Sequence, residues 1–69
     1  MDKEEALRFI NAERISLKFN IEFYEFTDHE GNKTYALEKI KDSQERIAHY
    51  KKLFDIDDEQ EEDTWEPRD

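Results

Sequence analysis

The side chains best able to do chemistry are concentrated in the last fifteen residues. Counting from Asp55, acids fall at the first, third (Asp57), fifth (Glu59), ninth (Asp63) and twelfth (Glu66) places. Those are side-chain ligand positions of a helix-loop-helix calcium loop. The rest of the pattern fails. Gln60 stands where the sharp turn needs glycine, Glu62 where an apolar residue belongs, and Pro67 leaves no exiting helix. An acid-rich segment matches such spacing by chance, so the expectation is screened cation association and no metal or other cofactor.

Nucleophilic or acid–base catalysis has equally little to work with. Ser16 and Ser43 are the only serines, His29 and His49 the only histidines, and there is no cysteine. No motif joins either histidine to a nucleophile or an orienting acid. One glycine cannot make a phosphate-cradling loop. The sequence points away from an enzyme.

Charge is distributed very unevenly. Residues 55–69 hold nine acids against Arg68, a net of −8 out of −9, whereas residues 1–54 hold eleven acids and ten bases. The expected organisation is one small domain over 1–54 and a disordered acidic tail over 55–69. The tail also carries the only tryptophan, Trp65. It reads as a polyanionic arm with one aromatic anchor, suited to a basic surface on another protein. Asp57, Asp58, Glu59, Glu61, Glu62, Asp63 and Trp65 are its candidate contacts. Two other tail readings are DNA mimicry, which needs carboxylates held in fixed positions, and an intramolecular cover resting on Lys39, Lys41, Lys51 and Lys52.

Nucleic acid is a poor match to the overall charge. The local exception is residues 33–54, where six bases outnumber three acids and a basic helix face could touch a phosphate backbone. Membrane insertion is not expected, since no apolar run is long enough to span a bilayer. The acidic start, Met1-Asp-Lys-Glu-Glu, does not read as a signal peptide. Together with the lack of cysteine, this places the expected location in the cytoplasm.

The elements that must position these groups are read from periodicity. Asp2 ahead of Lys3–Arg14 suggests an N-capped helix with Ala6, Leu7, Ile10 and Arg14 on one side. Ile15, Leu17, Phe19, Ile21 and Phe23 then alternate with polar residues, the period of a half-buried strand. Tyr24 and Phe26 break the phase. Thr27–Lys33, around Gly31, reads as a turn able to adopt positive φ. Thr34–Glu38 would return as the second strand, and Asp42 with Glu45 resembles a capping box opening a second helix. Residues 36–41 fit strand or helix.

The fold class expected is therefore α+β: a small α-β-β-α domain, its two-stranded antiparallel hairpin packed on two helices. Tyr24, Phe26 and Tyr35, where the alternation fails, complete the core or form a partner or homodimer patch. The function expected is a non-enzymatic, acidic protein-binding modulator, an inhibitor or adaptor of the kind phage and mobile elements encode. The alternatives are a DNA-mimic antagonist and a weak nucleic-acid binder using the second helix.

Overall fold

The computed structural model describes residues 1–68; Asp69, last of the tail acids, lies outside the described residues. Two long helices, α1 (Lys3–Phe26) and α2 (Glu30–Leu53), form an antiparallel hairpin, followed by a 3-10 turn, η1 (Glu61–Thr64). Each helix has 24 residues, about 36 Å at 1.5 Å per residue, which sets the long dimension of the 40 × 19 × 13 Å molecule.

The α+β expectation is corrected: there is no strand among the described residues. The alternation over residues 15–23 comes from two helical stripes, not one strand. Leu17 and Ile21 are buried against α2, while Ile15 and Phe19 are exposed. Residues two apart in a helix stand about 200° apart. Two four-residue repeats offset by two positions therefore produce a period of two in the sequence. The helix is apolar on opposite sides, and the phase change at Tyr24 is the inner stripe resuming helical spacing.

Asp2 caps α1 as expected, its carboxylate accepting the Glu5 N–H at 2.8 Å. The buried stripe Ala6, Ile10, Arg14, Leu17 and Ile21 repeats at three and four residues, the spacing of an antiparallel helix pair. It meets Ala36, Ile40, Ser43 and Ile47 of α2. Residues 36–41 are thus helical. Asp42 lies in mid-helix and does not open one; the true start is His29, whose Nδ1 accepts the Asn32 N–H at 3.3 Å.

The bend is confined to residues 27–29. Thr27 Oγ1 accepts the His29 N–H and the Asn32 side-chain amide at 3.3 and 3.4 Å, so the bend is held by side chains. Gly31 sits inside the first turn of α2 and does not take positive φ. A Cβ there would come within 3.0 Å of the His29 ring, so glycine leaves room for the capping imidazole.

The positive φ falls instead at Asp55, at 53°. The Ile56 N–H bonds to Lys51 O at 2.8 Å and the Asp55 N–H to Lys52 O at 3.4 Å. This is a Schellman ending with aspartate in the position glycine usually takes. It turns the chain back and buries Ile56 to 7% exposure in the core. The segment after α2 is therefore packed along one face of the hairpin as far as Trp65, with η1 touching both helices. That overturns the disordered tail in the expected fold.

Candidate functional site

Arg14 determines where the tail lies. It occupies a buried position on the inner stripe of α1, where a guanidinium is costly unless fully paired. Four hydrogen bonds pair it, all to the tail. Nε and Nη2 donate to the two carboxylate oxygens of Asp63 at 3.1 and 2.7 Å. Nη1 donates to Asp58 Oδ2 at 2.9 Å and Nη2 also to Asp58 O at 2.6 Å. The Asp63 contact is bidentate, a geometry that lysine cannot reproduce.

The surroundings complete the clasp. The Gln60 N–H donates to Asp63 Oδ2 at 3.1 Å, and Lys51 Nζ stands 3.5 Å from the same oxygen. Burial pushes the Asp63 carboxyl up, but hydrogen bonds from Arg14 and Gln60, with the charges of Arg14 and Lys51, hold it below the ordinary carboxylate range. Asp58 is lowered by its hydrogen bonds from Arg14 and then Gln60. Arg14 is raised, chiefly by Asp63. Two cations and two carboxylates thus cancel at the centre of the docked tail.

Further along, Gln44 Nε2 donates to Glu62 O and Trp65 O at 3.2 and 2.9 Å. Lys18 Nζ lies 3.6 Å from Glu62. Trp65 then packs edge-on against Tyr24, ring centroids 5.5 Å apart, while Lys33 Nζ sits 4.4 Å from the centre of the Tyr24 ring. Between the tail and the adjoining side of α1, next to this aromatic pair, runs an open groove of about 790 Å³. Glu22 and Glu25 line it from the helix, and Glu61, Glu62 and Glu66 from the tail; Lys18 and Arg68 also border it. Five carboxylates against two cations leave it strongly anionic, over a partly aromatic floor.

The candidate contact residues are divided between these settings. Asp58 and Asp63 are bound to Arg14, whereas Glu61, Glu62, Trp65 and Tyr24 line the groove. Asp57 and Glu59 are exposed along the outer edge of the tail. Phe26, at the bend, and Tyr35, on α2, are exposed and away from that groove. Among the described residues, no three acidic or histidine side chains converge as metal ligands, and no helix is long and apolar enough to cross a membrane.

The bases of α2 are spread round the helix. Lys33 contacts Tyr24, Lys39 lies over the Tyr35 ring, Arg46 bonds Glu13 at 3.1 Å, and Lys51 faces Asp63. Arg14 was missed as a functional residue, although its place on an apolar stripe was the available signal. Glu22 and Glu25 belong to the acids of residues 1–32 that a rigid carboxylate array would have to recruit, and the docked tail lies beside them. No family model, curated protein or solved structure matches this chain.

Proposed function

We propose that this protein is a non-enzymatic binding protein whose anionic groove receives a lysine- or arginine-rich segment of another protein. The observation that carries this reading is the placement of Glu22, Glu25, Glu61 and Glu66 around the Trp65–Tyr24 pair. Carboxylates on two sides attract and orient a cationic side chain, and an aromatic floor adds a cation–π contact with the indole or phenol face. Lys33 already makes such a contact with Tyr24 from within the chain.

Docking the tail also changes the physics of its charge. A mobile polyanion accelerates encounter but loses chain entropy when it binds; a tail already held by Arg14 presents its glutamates in a fixed array. Fixed carboxylates are what an antagonist of a nucleic-acid-binding protein requires, so a phosphate-binding surface is one basic target this groove suits.

The test is titration of the intact chain with a lysine- and arginine-rich peptide, followed through Trp65 emission. Saturable binding that weakens with salt and drops at least several-fold in the Glu22→Gln/Glu25→Gln/Glu66→Gln variant is expected. Binding indifferent to those substitutions would remove the groove from the account.

A further inference from the structure

The face of the hairpin opposite the tail is uncovered. The outer stripe of α1 runs through Ala12, Ile15, Phe19, Phe23 and Phe26, spaced three, four, four and three residues. Ile15 is 74% exposed, Phe19 68% and Phe26 91%. Across the helix-helix groove, Tyr35 of α2 joins Phe19 and Phe23. A two-helix layer can bury only one seam by itself, and a helix apolar on opposite sides belongs inside a larger bundle. The tail covers one side of this hairpin; among the described residues, no other segment reaches the opposite side.

We propose that a second copy of this chain covers that face, two hairpins packing through their α1 outer stripes into an antiparallel four-helix bundle. Three features favour a copy over an unrelated occupant. The apolar stripe runs unbroken from Ala12 to Phe26, about 21 Å of helix at 1.5 Å per residue, a seam of the kind along which antiparallel helices pack. The stripe is self-complementary under a two-fold axis at Phe19. Ala12 then stands opposite Phe26 of the second copy, Ile15 opposite its Phe23 and Phe19 opposite its own equivalent, the reciprocal pairing of an isologous contact. Finally, although the chain carries −9, no acid lines the groove at Phe19, Phe23 and Tyr35, and its cations are Lys39 and Arg46. The tail acids that would repel a copy lie on the far side. This pairing leaves the anionic groove open, so it stands or falls independently of the proposed function.

The test is the mass of the intact chain by sedimentation across concentrations up to about 100 µM, which populates a dimer of micromolar affinity. A monomer is 8.5 kDa. Twice that mass is expected, halving in Phe19→Glu and in Ile15→Lys. Both side chains point outward, so far-UV circular dichroism should remain helical in each variant. Because the chain has no cysteine, mixing Ala12→Cys with Phe26→Cys chains should give a disulfide-linked pair under mild oxidation. A wild-type monomer at every concentration would overturn the proposal, as would a dimer unaffected by both charged substitutions. A dimer without the Ala12–Phe26 cross-link would overturn the antiparallel register.

Discussion

Arg14 and Asp63 face each other across 49 residues of sequence, with Nη2 2.7 Å from Oδ2 and Nε 3.1 Å from Oδ1. Both side chains are nearly excluded from solvent. The pair turns an acidic extension into the third layer of a helical hairpin. Removing one partner leaves the other charged, buried and unmatched, which costs about 3–5 kcal/mol. That is a large part of the roughly 3–10 kcal/mol expected for a domain of this size. Arg14→Ala should therefore lower the urea midpoint sharply, and Arg14→Lys should recover only part of it because a lysine cannot form the fork. Wild-type stability in Arg14→Ala would mean that the clasp contributes nothing.

The same clasp sets an acid limit. Asp63 and Asp58 titrate lower in the folded chain than their ordinary value. Their contribution is complete above the unfolded carboxylate range, about pH 4, and is lost as pH falls through the lower folded values. Trp65 emission should stay constant between about pH 5 and 8 and change only on further acidification. A transition near neutrality would assign tail docking to some other group.

Asp55 offers a gain in stability. Its φ of 53° is a conformation that costs aspartate more than glycine, and its charge opposes the negative end of α2. Asp55→Gly should raise stability by about 0.5–1 kcal/mol, read as a higher melting temperature, after allowing for the entropy glycine adds to the unfolded chain. A lower melting temperature would show that the Asp55 carboxylate has a stabilising role of its own.

Truncation after Phe54 gives a further discrimination. It removes Ile56 from the core and takes from Arg14 its four acceptors and the segment that covers it. The shortened chain should melt at lower temperature and with a broader transition than the intact one. A detached arm would leave the melt unchanged.

The Asp2 cap and a turn within Thr27–Lys33 were visible in local sequence, because capping and turn chemistry are short-range effects. The bend proved to be only residues 27–29, however, and Gly31 falls inside α2. The region from Ile15 to Phe23 was misread because two i,i+4 stripes on opposite sides of one helix interleave into the spacing of a strand. Only a partner for each stripe distinguishes the two patterns, and that is tertiary information. The tail was misread for a related reason. Its charge suggests disorder when taken alone, while Ile56, Trp65 and a buried Arg14 more than forty residues away supply the contacts that order it.

The most direct test of the account compares the intact chain with Arg14→Gln in a Trp65 fluorescence titration against a lysine- and arginine-rich peptide, at a temperature where both chains remain helical. The intact chain should show saturable, salt-sensitive binding, and Arg14→Gln, its tail undocked and the groove lost, should bind at least tenfold more weakly. Equal binding by the two chains, or none by the intact one, would contradict a groove built by the Arg14 clasp.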